Sequence, residues 1–579
     1  MIKKIISRKL DENLPDLGIE MHTVLKRIYA ARGVKSEIEL DRSLVNLLSY
    51  KTLSGIHEAT DIIVSAIAEN KNILIVADFD CDGATSCAVA MRGLRALGAS
   101  SVNYLVPNRF EYGYGLTPEI VDVAASYKPD VLITVDNGIS SIAGVDRAKE
   151  LGMQVVVTDH HLQGDILPKA DAIVNPNQRH DLFKSKNLAG VGVIFYVLLA
   201  CRAQLREQKW FQQQNMSEPN LASLLDLVAL GTVADIVPLD ANNRILVEQG
   251  LRRIRGGHAC AGIDALLDIA KRRSDRVVAS DMGFAIGPRL NAAGRLEDMS
   301  VGIECLLSDS PEQARSLAIK LDTLNQERKV IESDMRDQAF SILENIKIDD
   351  NTDETPVAIS LYDESWHQGV IGILASRIKE RFHRPVIIFA EGLNGEIKGS
   401  ARSVTGVHIR DVLDAVATRH KGLINKFGGH AMAAGLSIQK NVFDEFAEAF
   451  RQEVSRWVDE DDLKGCIHTD GELDSEYMTM DLAELIRQSG PWGQGFPEPL
   501  FEGEFLVKNQ RIVGERHLKM VLQPVNESLD IDAIAFNAVD NPCPSDNDRI
   551  KIAYTMDVNE FRGNRNLQLM VNYIDLNPS

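Results

Sequence analysis

Residues 72–87 decide how this chain is organised, and they read Asn-Ile-Leu-Ile-Val-Ala-Asp-Phe-Asp-Cys-Asp-Gly-Ala-Thr-Ser-Cys. An apolar run ends abruptly in three acids at alternate positions, Asp78, Asp80 and Asp82, and small residues follow Gly83. This pattern predicts a buried strand that stops at its carboxyl end, turns and enters a helix. Three neighbouring carboxylates repel one another unless a cation lies among them, and hard divalent cations prefer oxygen ligands. The alternative is that one acid caps the helix while water solvates the others.

Two further strand-like runs end in polar residues in the same way. Residues 131–135 are apolar and lead into Asp136-Asn137-Gly138, and residues 155–158 lead into Asp159-His160-His161. Alternating apolar strands and helices predict a parallel sheet with helices on both faces. Ligands of such sheets bind beyond the carboxyl ends of the strands, so these side chains and the first three acids are expected at one edge. This coincidence of position favours a metal site.

The donor types indicate which metal and which chemistry to expect. Asp235 lies alone in an apolar stretch; such an acid is usually a cap or a hydrogen-bonded core residue, but here it is a natural contributor to the same edge. Several carboxylates with one or two imidazoles suit Mg²⁺ or Mn²⁺ better than zinc. Two such ions about 3.5–4 Å apart activate water and polarise a phosphoryl group, which predicts hydrolysis of a phosphoester. Asp136 is the candidate for a shared carboxylate, and because His160 and His161 are adjacent, they cannot both point at the metal.

Composition sets the broad class. The chain has 579 residues, so about three to five domains are expected. Its formal net charge of −20 taken alone counts against a nucleic-acid partner, but the distribution of basic groups matters more, and metal-binding acids add to the negative count.

Seven scattered cysteines without a Cys-x-x-Cys pair argue against a disulfide framework and favour a reducing cytosol. No apolar run reaches the roughly 20 residues of a membrane span, and the N-terminus does not read as a signal peptide, so a cytoplasmic protein with no membrane partner is expected.

The pattern along the chain predicts five segments and an α/β fold class. They are a helical segment over 1–50, a parallel-sheet domain over 51–308, a connector helix over 309–348, a smaller α/β domain over 355–455 and a barrel domain over 466–579. The connector is expected because apolar residues recur among many charges there, with no Pro or Gly after Pro311. Alternating β-type segments after residue 500 predict a small barrel such as an OB-fold.

Basic and glycine-rich stretches are the candidates for phosphate contacts. A predicted Gly-Pro-Arg turn carries Arg289 and Arg295, and it is either a solvated loop or a phosphate clamp. Small residues around Ser400, Arg402 and His430 leave backbone N–H groups for an anion, although a tight turn also explains the glycines. The barrel has basic residues and aromatics that suit single-strand binding, although its phenylalanines are more often core residues than stacking platforms. They include Lys508, Arg511, Arg516, His517, Lys519, Arg562, Arg565, Phe501, Phe505, Phe536 and Phe561.

Four motifs carry a family resemblance: Asp78-Phe79-Asp80-Cys81-Asp82-Gly83, Asp136-Asn137-Gly138, Asp159-His160-His161 and Gly428-Gly429-His430. Together they resemble the DHH phosphoesterase superfamily with its associated C-terminal domain. With the final barrel and three more stretches, nearly the whole chain is similar to the branch of that superfamily that degrades single-stranded DNA from the 5′ end. The three stretches are Val106-Pro107-Asn108-Arg109, Gly231-Thr232-Val233-Ala234-Asp235 and Gly287-Pro288-Arg289-Leu290-Asn291-Ala292-Ala293-Gly294-Arg295.

The resemblance implies two Mn²⁺ or Mg²⁺ ions, held by Asp78, Asp80, Asp82, Asp136, His160 and Asp235. By the family pattern Asp136 would bridge the ions, His161 would contact the scissile phosphate and Asp159 would orient the histidines, and these three are the expected catalytic residues. Many relatives have a histidine at the position of Val76, so one ion would have fewer protein ligands here. The implied substrate contacts are Arg109, Ser400 and Arg402 on the 5′ phosphate and, for the rest of the strand, Arg289, Asn291, Arg295, Gly429 and His430.

The resemblance also implies a function and partners. Such an enzyme would degrade single-stranded DNA to 5′-mononucleotides in recombination and repair, as a monomer, with single-strand-binding protein and a RecQ-type helicase as partners. Two alternatives stay open: a phosphodiesterase of the superfamily with a smaller substrate, such as an oligoribonuclease or a cyclic-dinucleotide phosphodiesterase, and a non-catalytic nucleic-acid-binding scaffold. The long N-terminal segment and the barrel argue against the first, because a dinucleotide needs no extended track. Intact acids at every motif argue against the second.

Overall fold

The computed structural model describes most of the chain. It covers residues 4–9, 15, 17–18, 20–108, 112, 115–345, 356–392, 394–458, 463, 465–525, 527–538, 543–561 and 564–576. Arg109, an expected phosphate contact, lies outside the described residues. The chain divides into two compact units. We call them the parallel-sheet unit, Lys9–Asn325 with Thr479–Pro499, and the barrel-bearing unit, Met1–Arg8 with Gln326–Met478 and Leu500–Ser579.

The strands of the described residues are β1 (Lys4–Ser7), β2 (Ile73–Ala77), β3 (Val102–Leu105), β4 (Val131–Val135), β5 (Gln154–Thr158), β6 (Ala172–Val174), β7 (Ile359–Tyr362), β8 (Val386–Glu391), β9 (Glu396–Arg402), β10 (Lys426–Gly429), β11 (Ala433–Gln439), β12 (Cys466–Thr469), β13 (Phe501–Val513), β14 (His517–Pro524), β15 (Ile531–Ala535), β16 (Arg549–Phe561) and β17 (Asn564–Asp575).

The helices are α1 (Thr23–Ala31), α2 (Ile56–Ala68), α3 (Cys81–Ala96), α4 (Pro118–Ala125), α5 (Ile142–Glu150), α6 (Gly190–Glu207), α7 (Trp210–Gln213), α8 (Leu225–Ala234), α9 (Ala241–Arg255), α10 (Ala261–Ile269), α11 (Ala279–Asp281), α12 (Gly287–Leu296), α13 (Ser300–Leu307), α14 (Pro311–Asn345), α15 (Ile371–Phe382), α16 (Ile409–Arg419), α17 (Phe443–Val454) and α18 (Met480–Ser489). A π-helical turn, Met282–Ile286, connects α11 to α12.

The parallel-sheet unit is built on one five-stranded sheet in the order β3-β2-β4-β5-β6. Every neighbouring pair is parallel. The strands β2 and β4 are buried along their whole length. Helices cover both faces of such a sheet, which is why these strands are continuous apolar runs rather than alternating ones. All five strands therefore end at the same edge, as the sequence pattern predicted.

The barrel-bearing unit contains a mixed sheet and a closed barrel. The mixed sheet has the order β10-β11-β9-β8-β7, and the barrel has the order β13-β14-β15-β17-β16. Phe501 and Phe505 are buried inside the barrel, whereas Phe536 is exposed. The expected α/β fold class with a C-terminal barrel is confirmed. The expected connector is also present, because α14 is one continuous helix of 35 residues and thus about 50 Å long.

Two stretches differ from their expected local structure. The described part of residues 1–50 contains α1 and short 3₁₀ helices, as expected of a helical segment, but Lys4–Ser7 form β1, which pairs in parallel with β12. This pairing joins segments more than 400 residues apart in sequence, and local periodicity does not report such contacts. Gly287–Leu296 was expected to be a turn but forms α12. Pro288 lies in the first turn of this helix, where a missing backbone N–H costs nothing.

Candidate active site

Side chains from three strand ends and from the end of α8 meet at the carboxyl edge of the parallel sheet. Three groups of residues each have potential ligand atoms that lie within 4.8 Å of one another: Asp78, Asp80 and Asp136; Asp82, His160 and Asp235; and Asp136, His160 and His161. The first two groups share no residue, and together they contain all six expected metal ligands. Asp136 and His160 link them through the third group. The arrangement thus has the donor set for two cations.

His160 lies at the centre of these groups. Its Nε2 atom is 3.1 Å from Oδ1 of Asp136, 3.4 Å from Oδ2 of Asp235 and 3.9 Å from Oδ2 of Asp82. Oδ1 of Asp136 is buried, yet it accepts no hydrogen bond from the described residues. Asp136 also has a φ of +63°, which is uncommon outside glycine and typical of functional positions. A buried carboxylate oxygen without a donor, set among other oxygen and nitrogen ligands, fits Mn²⁺ or Mg²⁺.

Burial and mutual repulsion raise the pKa values of the clustered acids. Burial, and next the charge of Asp80, raise the pKa of Asp82 to about 7. Burial and the charge of Asp82 raise the pKa of Asp136 and of Asp235 well above the usual range of an aspartate. Ionised carboxylates are therefore unfavourable here without a compensating positive charge. A divalent cation would supply that charge and favour the ionised forms.

Asp82 is held by the start of α6. Its Oδ2 accepts a hydrogen bond of 2.6 Å from the N–H of Gly190, and its Oδ1 accepts one of 3.0 Å from the N–H of Val191. Gly190 also lies against Asp136, because a Cβ atom at this position would be 2.6 Å from Cβ and Oδ1 of Asp136. A Cβ at Gly231 would be 2.9 Å from Oδ1 of Asp82. Two helices thus approach the acids through glycines, since a side chain would displace the carboxylates.

Asp159 uses both of its oxygens within the protein. Oδ1 lies 2.7 Å from Nδ1 of His161 and accepts the N–H of His160 at 2.7 Å, and Oδ2 accepts the N–H of Ile139 at 2.9 Å. Burial would raise the pKa of Asp159, but the bond from His161 lowers it. Burial likewise opposes a charged His161, but the bond to Asp159 outweighs it and raises the pKa of the imidazole to about 9. The bond to Asp159 therefore orients the ring of His161 and favours its protonated form.

Helix α12 brings further expected residues to the first acidic loop. Oδ1 of Asn291 accepts the N–H of Cys81 at 2.8 Å, so Asn291 holds the loop that carries the three acids. Arg289 forms an ion pair of 2.8 Å with Asp322 and donates to the carbonyl of Ala285. Its guanidinium is thus engaged within the unit. Arg295 is half-buried near the end of the same helix.

The barrel-bearing unit holds the other expected phosphate contacts on its mixed sheet. Ser400 and Arg402 lie on one face of β9, and Nη1 of Arg402 is 3.2 Å from Oγ of Ser400. Gly435 of β11 pairs with Ser400, and Gly428 of β10 pairs with Gly435. The space where a Cβ of either glycine would lie is open. A guanidinium and a hydroxyl beside an open glycine surface form a cradle for an anion.

The last two expected residues lie at the end of β10 in the same sheet: Gly429 is its final residue and His430 directly follows it. Gly429 has a φ of +148°, and a Cβ there would be 2.5 Å from the carbonyl oxygen of Ala433. Only glycine fits this close approach. The N–H of His430 donates to the same carbonyl at 2.8 Å. This hydrogen bond fixes the Gly428-Gly429-His430 turn to the first residue of β11.

Sequence reasoning missed several residues that hold the site together. Besides Gly190 and Gly231, these are Asn175 and Asn177, whose side-chain amides donate to the carbonyl oxygens of His161 and His160. Asn175 directly follows β6 and Asn177 is two residues further on, so the rule that polar strand ends meet at one edge would have found them. The glycines carried no such signal, because their role depends on which distant helix packs against the acids.

Comparison with known proteins follows the same division of the chain. Family models match at three places: the DHH family N-terminal domain over residues 72–232, the DHHA1 domain over 354–456 and the RecJ OB domain over 469–573. The single-stranded-DNA-specific exonuclease RecJ of Escherichia coli (strain K12) is 53% identical over 569 residues, which cover 98% of each chain. This chain belongs to the RecJ family.

Two solved RecJ structures from Thermus thermophilus are also similar. The RecJ in complex with Mn²⁺ has a TM-score of 0.81 at 28% identity and covers 100% of this chain and 80% of its own. The RecJ in complex with Mg²⁺ has a TM-score of 0.74 at 27% identity and covers 100% of this chain and 78% of its own. The expected resemblance to the DHH superfamily and to its single-strand exonuclease branch is confirmed.

Proposed function

We propose that this chain is a metal-dependent exonuclease that degrades single-stranded DNA from its 5′ end to 5′-mononucleotides, in DNA recombination and repair. The observation that carries the proposal is the meeting of the acids and His160 at the sheet edge, in two groups of three potential ligands. The RecJ exonuclease of Escherichia coli, 53% identical over nearly all of both chains, supports the substrate and the reaction.

The two groups would hold two Mn²⁺ or Mg²⁺ ions. Asp78, Asp80 and Asp136 would bind one ion, and Asp82, His160 and Asp235 the other, with Asp136 between them. Such ions make hydroxide available at neutral pH and stabilise charge on a phosphoryl group. The Mn²⁺ and the Mg²⁺ bound by the Thermus thermophilus relatives support this choice of metals.

His161 would act on the scissile phosphate through the nitrogen that does not face Asp159. The bond to Asp159 raises the pKa of the imidazole against the opposing effect of burial. A protonated ring would donate a hydrogen bond to a phosphate oxygen on which negative charge develops. Asp159 would keep the ring in that orientation.

The 5′ phosphate would bind at the open glycine surface beside Ser400 and Arg402, with Arg109 as a further contact. Arg402 is a suitable anchor because a guanidinium forms paired hydrogen bonds with phosphate oxygens. Gly429 and His430 of the barrel-bearing unit would contact the backbone of the strand, and so would Arg289, Asn291 and Arg295 of the parallel-sheet unit. The barrel would bind the strand farther from the cut, since closed five-stranded barrels of this kind bind oligonucleotides.

The remaining expectations are part of the same proposal. The enzyme would act as a cytoplasmic monomer with single-strand-binding protein and a RecQ-type helicase as partners, and its five domains would follow the boundaries given by the sequence. Buried thiols such as Cys87 and Cys201 fit a reducing compartment. None of the helices in the described part of the chain has the length and apolar character of a membrane span. Co-purification with each partner, with and without DNA, tests the associations.

Digestion of end-labelled DNA tests the function. Single and double strands labelled at the 5′ or the 3′ end are incubated with Mn²⁺, with Mg²⁺ or with EDTA. We expect mononucleotides released from the 5′ end of the single strand alone, and no release with EDTA. Asp136→Ala should abolish cleavage, whereas Asp165→Ala, which removes an aspartate whose side chain is 97% exposed, should not.

Three results would overturn the proposal. Full activity of Asp136→Ala would exclude the metal groups described above as the reaction centre. Cleavage of dinucleotides or cyclic dinucleotides in preference to long strands would indicate the smaller-substrate phosphodiesterase. Tight binding of single strands without cleavage under any metal condition would indicate a scaffold.

A further inference from the structure

An apolar cavity of about 380 Å³ lies in the parallel-sheet unit beside the segment that carries Asp235. Its walls come from four stretches: residues 233–239, the second half of α9, the π-helical turn with its N-terminal flank, and the end of α18 with the loop that follows it. The loop is fixed to the first wall, since the N–H of Leu239 donates to the carbonyl of Gln494 at 2.7 Å. All of these stretches belong to one compact unit.

Two apolar side chains at this cavity are exposed in a way that the fold does not require. Phe284 is 84% exposed and Ile236 is 68% exposed. Large apolar side chains that face solvent beside a cavity mark a binding surface. Both also interrupt regular backbone: Phe284 lies on a π-helical turn, and such turns are frequent at functional sites. Ile236 has a φ of +61°, a strained conformation for a β-branched residue.

The cavity is connected to the candidate metal centre through the chain segment around Asp235. Ile236 follows Asp235, whose Oδ2 is 3.4 Å from Nε2 of His160. The turn that carries Phe284 rests on the residues just before Asp235. A Cβ at Gly283 would be 3.3 Å from Cγ1 of Val233, and a Cβ at Gly287 would be 3.3 Å from Cβ of Ala234. The segments that carry Phe284 and Ile236 are therefore joined to, or packed against, the segment that carries an expected metal ligand, Asp235.

The lining indicates the chemistry of the occupant. The charged side chains are two arginines and two glutamates, so their formal charges cancel. Arg255 is already paired with Glu248, at 3.4 Å. An anionic peptide or a phosphate would therefore gain little electrostatic free energy by binding in this cavity. A flat, uncharged ring gains the apolar contacts, and Ser280, Gln488 and Gln494 offer hydrogen bonds to polar ring edges.

We propose that this cavity binds an unstacked nucleobase of the strand being degraded, with the base against the ring of Phe284 and the side chain of Ile236. This inference rests on the proposed function and adds a source of specificity to it. A base can enter only if it has left its stacked neighbours and its pairing partner. This costs less free energy in a single strand, which has no base pair to break, than in a duplex. Stacking on an aromatic ring tolerates any base sequence.

A double-mutant cycle between the protein and the DNA tests the contact. Oligonucleotides carry one abasic residue at each of the first several positions from the 5′ end, and single-turnover cleavage with Mn²⁺ is measured for the wild type and for Phe284→Ala. We expect the wild type to lose about tenfold in rate when the abasic residue occupies one particular position. Phe284→Ala should lose about tenfold on the intact strand and show no further loss at that position, because the same contact is removed twice.

Two control variants separate this contact from a general effect. Phe284→Trp keeps an aromatic ring and should keep the position-dependent loss. Tyr127→Ala removes another exposed aromatic side chain of the same unit, 40% exposed and outside the cavity, and should keep the wild-type pattern.

Additive losses, or no position-dependent loss in the wild type, would overturn the nucleobase proposal. An unchanged rate for Phe284→Ala on every strand would also overturn it and would leave the cavity to an apolar segment of a partner protein. The proposed function fails separately: it requires that the wild type cleaves the intact strand and that Asp136→Ala does not.

Discussion

Gly190→Ala is the sharpest single change that the site offers. A Cβ at position 190 would lie 2.6 Å from both Cβ and Oδ1 of Asp136, and 2.8 Å from its Cγ. Carbon atoms in contact are normally about 3.5–4.0 Å apart, so Asp136 or the start of α6 must move by roughly 1 Å. A displacement of that size at a reacting centre costs about 100-fold in rate. We therefore expect kcat/KM for single-stranded DNA to fall about 100-fold or more.

The same substitution should leave the fold intact. Gly190 is the first residue of α6 and does not have a positive φ, so its backbone accepts alanine. Within a helix, alanine is more favourable than glycine by about 0.5–1 kcal/mol, which offsets part of the local strain. Gly192→Ala is the matched control, two residues further along the same helix. Its new Cβ would meet Cδ2 of Leu188 at 3.1 Å, which is the far end of a flexible side chain.

The assay measures exonuclease rate against Mn²⁺ concentration for both variants, together with their thermal midpoints. We expect Gly190→Ala to lose activity while its midpoint falls by only a few degrees, because overpacking of this kind costs about 1–3 kcal/mol, and Gly192→Ala to keep both. Wild-type kcat/KM in Gly190→Ala would refute the reasoning, because it would mean that Asp136 need not keep its place. Equal losses in both variants would show that α6 matters as a helix and not through its contact with Asp136.

Three further predictions concern the surroundings of the acids. Asp159→Asn weakens the bond that orients His161, and we expect the exonuclease rate to fall about 10- to 100-fold in steady-state assays; an unchanged rate would contradict the role given to this pair. Asn291→Ala leaves the N–H of Cys81 without its acceptor, so the free energy of unfolding should fall by about 1–3 kcal/mol in urea titrations, and an unshifted midpoint would contradict this. Mn²⁺ at about 100 times its dissociation constant should stabilise the wild type by about 2.7 kcal/mol, measured by calorimetry. The Mn²⁺ effect should be strongly reduced in Asp136→Ala, and a shift of equal size in that variant would place the ion elsewhere.

Much of the candidate site could be predicted because its signals are local. An apolar run that stops at acids reports both a buried strand and the end at which those acids lie. Parallel strands share one carboxyl edge, so the positions of Asp78, Asp136 and His160 follow without further knowledge of packing. Asp235 was harder to assign to the metal site, because it lies at the end of a helix and nothing in the local sequence distinguishes it from a capping residue.

The expected phosphate contacts stay predictions, and the sequence alone could not place them for a physical reason. A basic residue in sequence is a candidate for any anion nearby, and the acids that compete for it lie far away in the chain. Arg289 illustrates this: its partner Asp322 is 33 residues away and belongs to α14. Arg402, by contrast, lies on a strand beside two glycines that leave open space, and the pairing of β9 with β11 is what reveals it.

Apart from β1 and α12, the sequence by itself determined the order of strands and helices described above, and it determined the edge at which the acids lie and the family to which the chain belongs. These depend on hydrophobic period and on short motifs, which each stretch of chain carries on its own. Only the tertiary structure decided which oxygen lies within reach of which nitrogen, why Gly190 must lack a side chain, and that Phe284 and Ile236 remain exposed beside Asp235. Such facts arise from the packing of helices onto a sheet between residues that are distant in the chain, and local patterns do not encode distances between such elements.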